Sequence, residues 1–166
     1  TTLFIDDLNK LLSNVEDKNE RLNLIFTYVK NRMNWNETYG CYTEKGVKKA
    51  YQDQTGNVAE INLMLVSMLR YAGIDANPVL LSTRSNGITV YPSRTAFNYV
   101  IAGVEYNNSI FLLDATHKNT LPNILPFNAL NWIGRIIKRE GTSAEVDLMP
   151  KMISREVINV MAKIEA

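Results

Sequence analysis

The chain has 166 residues, of which 46% are apolar, and this size and composition are typical of one folded domain rather than of a disordered segment. Its 18 basic and 17 acidic residues nearly cancel, which argues against a nucleic-acid partner, and no apolar run is long enough for membrane insertion. A single cysteine and a single histidine exclude an internal disulfide and argue against a zinc site, so we expect no metal and no other cofactor.

The first third of the chain has the apolar spacing of short helices. One helix is predicted over residues 4–12, and a second begins near Asp17, which has capping-box spacing to Glu20. A polar loop with Trp35 follows this second helix. A small third helix is predicted over residues 43–51, before a glycine turn.

The clearest predicted element is an apolar helix over residues 58–71. Asn57 precedes it as the expected cap, and Glu60 occupies the reciprocal position of a capping box. Gly73 is well placed to end the helix. Because most of its faces are apolar, we expect this helix to be buried on most sides.

The remainder of the chain has the alternation and turn residues of strands. Residues 85–95 and the segment around Pro122 and Pro126 are predicted loops, and the tail over residues 154–164 fits either a strand or a helix. Helices followed by mainly antiparallel strands predict an α+β fold, with N-terminal helices packed on one sheet. The predicted strands cover residues 77–82, 97–105, 109–114, 132–138 and 144–148.

Two residues are candidates for nucleophilic catalysis because of their residue type. Cys41 lies in a polar loop and would need a base, and His117 is the only histidine in the chain. Apart from Lys45 and a possible helix start, nothing near Cys41 indicates a lowered thiol pKa. We therefore favour a bystander cysteine and a histidine in a surface loop.

The start of the long helix is a second place where chemistry is expected, because its backbone N–H groups and dipole stabilise an anion. The residue there is Val58, which has no reactive group. Asp114 ends a predicted strand, and antiparallel pairing would bring it close to Asn98 and Tyr99. In a catalytic triad such a carboxylate orients a histidine, and here Tyr99 occupies the place of the base. Taken alone, each residue also fits an ordinary structural role.

Three segments carry a resemblance when they are considered together. They read GNVAEINLMLVSMLRYAGIDANPVLLSTR, AFNYVIAGVEYNNSIFLLDAT and LPNILP. This combination resembles the transglutaminase-like superfamily, whose core has a papain-like fold, and in particular a bacterial branch of Bacteroidetes-type genomes. In that branch the helix typically begins Gly-Asp-Cys, the middle motif reads Phe-Asn-His-Val, and the next strand ends in Leu-Asp-Ala/Pro-Thr.

The resemblance implies a degenerate catalytic triad. The family's cysteine falls on Val58 and its histidine on Tyr99, whereas its aspartate is retained as Asp114. Valine cannot attack a carbonyl, and tyrosine, with a pKa near ~10, is a poor base at neutral pH. We therefore expect no catalytic residue in the cleft that holds this triad in the family. The residues it offers for binding are Trp35, Asn57, Val58, Asn98, Tyr99 and Asp114.

The favoured hypothesis is a catalytically inactive transglutaminase-like domain, spanning residues 1–166 and excised from a larger protein. It would bind a peptide, a protein or a glycan, or serve as a scaffold beside flanking domains. The resemblance also implies a location in the periplasm or cell envelope. The alternative is an active cysteine peptidase or amidase that uses Cys41, and a third possibility is a purely structural spacer between domains.

Overall fold

The computed structural model describes residues 3–88, 95–107, 109–151 and 157–161. In these ranges four helices accompany a curled five-stranded antiparallel sheet, which confirms the predicted α+β class. No helix within the described ranges is long and apolar enough to cross a bilayer. The helices are α1 (Ile5–Leu11), α2 (Lys18–Arg32), α3 (Val47–Asp53) and α4 (Val58–Tyr71).

The strands form two sheets of unequal size. The smaller sheet is a parallel pair, β1 (Asn34–Trp35) and β2 (Thr55–Gly56), which the sequence did not predict. The larger sheet has the spatial order β5-β4-β3-β6-β7, and every neighbouring pair is antiparallel. Its strands are β3 (Ala76–Leu81), β4 (Tyr99–Tyr106), β5 (Ser109–Leu113), β6 (Ile133–Ile137) and β7 (Ser143–Asp147).

Helix α4 lies at the centre of the domain, in contact with α2 and α3 and with β3 and β4. Its predicted capping box is present: the Asn57 side chain accepts from the Glu60 N–H at 2.8 Å, and Glu60 Oε2 accepts from the Asn57 N–H at 2.9 Å. Gly73 follows the helix with φ +78°, a conformation that favours glycine. The predicted boundaries of α4, with Val58 as its first residue, are therefore confirmed.

Helix α3 begins at Val47, four residues later than predicted. The cause is Glu60, whose Oε1 accepts from the backbone N–H groups of Lys45 at 2.7 Å and Gly46 at 3.0 Å. Gly46 adopts φ +83° at this point. The preceding segment is thereby held against the start of α4 instead of forming a helical turn.

The tail, predicted as either a strand or a helix, has neither structure in residues 157–161. The rest of the predicted tail element lies outside the described residues, as does the portion of the predicted 85–95 loop that covers residues 89–94. The apolar side chains of residues 157–161 are exposed.

Candidate functional site

The start of α4 is closed by the loop that precedes α3. The Val58 side chain is fully buried, and the Val58 N–H donates to the carbonyl of Thr38 at 3.2 Å. Next to it, Asn57 Nδ2 donates to the carbonyl of Tyr42 at 2.9 Å. The backbone of residues 38–42 therefore lies across the helix start, and a carbonyl oxygen occupies the place where an anion would bind.

Asp114 and Tyr99 meet at the end of the large sheet, as the antiparallel pairing predicted. The Tyr99 hydroxyl donates to Asp114 Oδ2 at 2.7 Å and lies 2.9 Å from Thr116 Oγ1. Asp114 Oδ1 accepts from the Thr116 N–H at 3.0 Å and from the Thr116 hydroxyl at 2.7 Å. Both Asp114 and Tyr99 are fully buried, so these hydrogen bonds replace the solvation of the carboxylate.

Asn62 connects this network to α4, and sequence reasoning missed its role. It lies one turn after Val58, on the same side of the helix. Its Nδ2 donates to Asp114 Oδ1 at 3.0 Å and to the Val100 carbonyl at 2.9 Å, and its Oδ1 accepts from the Ala115 N–H at 2.9 Å. The signal was present in the sequence, because an asparagine inside a buried apolar helix needs polar partners.

A chain of aromatic rings runs from the network to the surface. The ring of Tyr39 lies 5.7 Å from that of Tyr99 and 5.4 Å from that of Trp35, whose other neighbour is His117 at 5.2 Å. Trp35 Nε1 also donates to the Thr38 carbonyl at 3.1 Å. His117 lies in a loop, as predicted, but it is half-buried there because its ring packs against Trp35.

The six residues predicted for binding differ in accessibility. Asn98 and Trp35 are half-buried, and the Asn98 side chain is already bonded to Thr83 through both its oxygen and its nitrogen, each at 2.8 Å. No cluster of histidine, cysteine or acidic side chains in the described ranges is arranged to hold a metal. The other four of the six predicted binding residues are buried, each with no more than 1% of its surface exposed: Asn57, Val58, Tyr99 and Asp114.

Residues 7–109, more than half of the chain, match the family model of the transglutaminase-like superfamily. The chain belongs to this superfamily. The match includes the positions of Val58 and Tyr99 and ends before Asp114. No curated protein sequence matches the chain.

Two solved bacterial structures share the fold of this transglutaminase-like domain. One, from Parabacteroides distasonis ATCC 8503, is provisionally assigned as a protease; it is 16% identical with a TM-score of 0.61. The other, from Cytophaga hutchinsonii, is provisionally assigned as a cysteine protease; it is 11% identical with a TM-score of 0.54. Each similarity covers 87% of this chain, but only 27% and 48% of the respective neighbours. At such low identity the similarity concerns the fold.

In this transglutaminase-like domain Tyr99 is held as a hydrogen-bond donor. Burial raises the pKa of the Tyr99 hydroxyl far above its usual value, and the charge of Asp114 raises it further. The hydroxyl therefore stays protonated at neutral pH. A protonated hydroxyl cannot accept a proton from a nucleophile, so Tyr99 is unsuited to the role of a general base.

Cys41 lies close to the Tyr99–Asp114 network but contacts only the backbone of Tyr99 in it. Its Sγ donates to the Tyr99 carbonyl at 3.3 Å, and burial raises the pKa of the thiol to about 11. This environment stabilises the neutral thiol instead of the thiolate, which is the nucleophilic form. His117 lies against Trp35, so the contacts of the two residues do not form a nucleophile–base pair.

Proposed function

We propose that this transglutaminase-like domain is catalytically inactive and serves as a binding or scaffold module within a larger protein of the periplasm or cell envelope. The observation that carries the proposal is the buried hydrogen bond from Tyr99 to Asp114 beside the fully buried Val58. With no nucleophile at the helix start and no proton acceptor at the base position, acyl transfer has no route through these residues.

The rival proposal is a cysteine peptidase or amidase that uses Cys41. It would require a thiolate, and the raised pKa of the Cys41 thiol opposes that form at neutral pH. It would also require a base, but the partner of the sulfur is a backbone carbonyl. The geometry therefore favours the inactive domain over the Cys41 enzyme.

Alkylation of Cys41 by iodoacetamide near neutral pH is expected to be at least about tenfold slower in the folded chain than in urea, because the folded thiol is protonated and half-buried. The rate is measured by mass spectrometry, and the unfolded chain is a matched control with the same single cysteine. Hydrolysis of amide substrates is followed in parallel. Fast selective labelling, together with turnover that disappears in Cys41→Ser, would instead establish the enzyme.

The binding part of the proposal rests on the rim of the filled cleft. Four of the six predicted binding residues are buried, so a ligand has to contact exposed side chains that surround them at the surface. Tyr39 and Tyr42, on the loop that closes the helix start, are 42% and 74% exposed. Tyr39 is held against Trp35 and by a hydrogen bond from Asn128 Nδ2 at 2.8 Å. Ordered, exposed aromatic rings are frequent anchors for peptide and protein partners and contribute strongly to affinity.

Tyr39→Ser with Tyr42→Ser is expected to weaken a ligand of the wild-type domain by about tenfold or more, since two anchoring rings are removed. The probes are arrays of short peptides and oligosaccharides, followed by titration of any that bind. Tyr106→Ser is the matched control, because Tyr106 is 43% exposed but lies in the hairpin at the far end of β4. Equal weakening by both variants, or a domain that binds none of the probes, would favour the spacer role over the binding role.

A further inference from the structure

The large sheet leaves a groove between its two outer strands. Strands β5 and β7 are the first and last of the five-strand order, and the curl of the sheet brings them to the two sides of one cavity of about 430 Å³. Much of the lining is apolar. The apolar lining residues are Ile110, Phe111, Leu112, Val146, Leu148 and Met149.

The edge of β7 that faces this groove is unpaired. The Leu148 N–H donates to the Trp132 carbonyl at 3.0 Å, so the backbone of Leu148 and, by alternation, of Val146 points toward β6. The N–H and C=O groups of Glu145 and Asp147 therefore point away from β6. Among the described residues no strand pairs with this side of β7. Such an edge is a template for one more strand.

The opposite side of the groove is only partly covered. Asn123 occupies the outer edge of β5 at Leu112, donating its N–H to the Leu112 carbonyl and accepting the Leu112 N–H on Oδ1, both at 2.8 Å. By the same alternation the backbone of Ile110 points outward, into the groove. The cavity is thus bordered by unpaired backbone on both sides and by apolar side chains.

The C-terminal part of the chain contains a segment of strand-forming residues that pairs with no strand in the part of the chain that the structure describes. Residues 157–161 read VINVM, rich in β-branched side chains. Val157, Ile158, Val160 and Met161 are between 62% and 100% exposed. Four adjacent or nearly adjacent apolar side chains in water indicate a surface that is buried in another state of the molecule.

We propose that this segment, Val157–Met161, adds to the edge of β7 of its own chain as a sixth strand and fills the groove. The strand directions fit: in an antiparallel order of five, β5 and β7 run the same way. A segment that turns back after β7 is therefore antiparallel to both β5 and β7. Nine residues, 148–156, separate the segment from β7. At about 3.3 Å per residue they reach far enough for this return, and the short tether gives the intramolecular contact a high effective concentration.

Alternation along the added strand assigns its side chains to two faces. Ile158 and Val160 share one face, and Asn159 lies on the other with Val157 and Met161 at the two ends. The Ile158 and Val160 side chains enter the apolar groove beside Leu112 and Leu148, while Asn159 remains in water. This assignment supplies a matched pair of variants, one on each face.

The test is hydrogen exchange of the Glu145 and Asp147 amides in the 166-residue chain, observed by NMR. The added strand is expected to slow both amides at least about tenfold relative to the same chain with Ile158→Asp and Val160→Asp, whereas Asn159→Asp leaves them slow. The Leu65 amide, in the middle of α4, reports that each variant is folded. The molecular mass is determined at the same concentrations.

Three outcomes decide the proposal. Slow amides in a monomer, released by the Ile158/Val160 variant alone, support it. Amides that are slow only in a dimer mean that a second copy supplies the strand, which overturns pairing within one chain. Amides that exchange freely in the wild-type chain mean that the groove is not filled by this segment.

Discussion

Asn62→Ala lowers the free energy of unfolding by about 3–5 kcal/mol, because it removes the side-chain partner of the buried Val100 carbonyl and Ala115 N–H and one donor to Asp114. The Asn62 side chain serves Asp114, the Val100 carbonyl and the Ala115 N–H, and all of these lie in the buried centre of the domain. The loss exceeds that of one ordinary hydrogen bond, since each unpaired buried group costs about 1–3 kcal/mol. Urea unfolding followed by circular dichroism measures it.

Ser67→Ala is the matched control for this loss. Ser67 is on the same helix and is half-buried, and its hydroxyl donates to the carbonyl of Leu63 one turn earlier at 2.9 Å. Removing this hydroxyl leaves no buried polar group without a hydrogen bond, so we expect the free energy of unfolding to change by no more than about 1 kcal/mol. If Asn62→Ala were as mild as Ser67→Ala, the network around Asp114 would contribute little to stability, and its retention would need another explanation.

The network also explains how Tyr99 and Val58 fit the buried centre of the domain. Asp114 is a fully buried carboxylate, and every donor it keeps offsets part of its desolvation. Tyr99 supplies such a donor while its ring extends the aromatic chain toward Tyr39. Val58 adds an apolar side chain at a fully buried point where the N–H is already used by the Thr38 carbonyl. Val58, Tyr99 and Asp114 therefore belong to the buried core of the domain.

The sequence predicted those features of the fold that depend on local signals. Helix α4 was assigned to the residue, since both of its ends carry their own signals in Asn57, Glu60 and Gly73. The proximity of Tyr99 and Asp114 followed from the pairing of two adjacent strands. Local and sequential contacts of this kind are readable from one sequence because they involve few alternatives.

Features that depend on distant backbone were not predictable in the same way. The late start of α3 depends on Glu60, which follows α3 in the chain but accepts hydrogen bonds from two backbone N–H groups that precede it. The closure of the helix start depends on the carbonyl of Thr38, and a carbonyl group carries no side-chain signal. The openness of the cleft could therefore not be judged from the residues that line it.

In a Cys41→Ser background, Val58→Cys with Tyr99→His is expected to give a thiol whose pKa lies at least about one unit below the ordinary value near 8.5. The introduced thiol would sit at the N-terminus of α4, and the introduced imidazole would take the place from which Tyr99 now donates to Asp114. An imidazolium oriented by a carboxylate stabilises a neighbouring thiolate. The ultraviolet absorbance of the thiolate, followed against pH, measures the pKa.

The single variant Val58→Cys, with Tyr99 retained, distinguishes the effect of the imidazole on the thiol pKa from the effect of the helix N-terminus. Its thiol is expected to titrate above the ordinary value, as Cys41 does, because burial dominates when no cation is nearby. The same titration in both variants would mean that the two positions do not face each other, and the assignment of a former triad would fail. A lowered pKa combined with slow alkylation would have a different meaning: the scaffold still activates a thiol, and the backbone of residues 38–42 keeps reagents from reaching it.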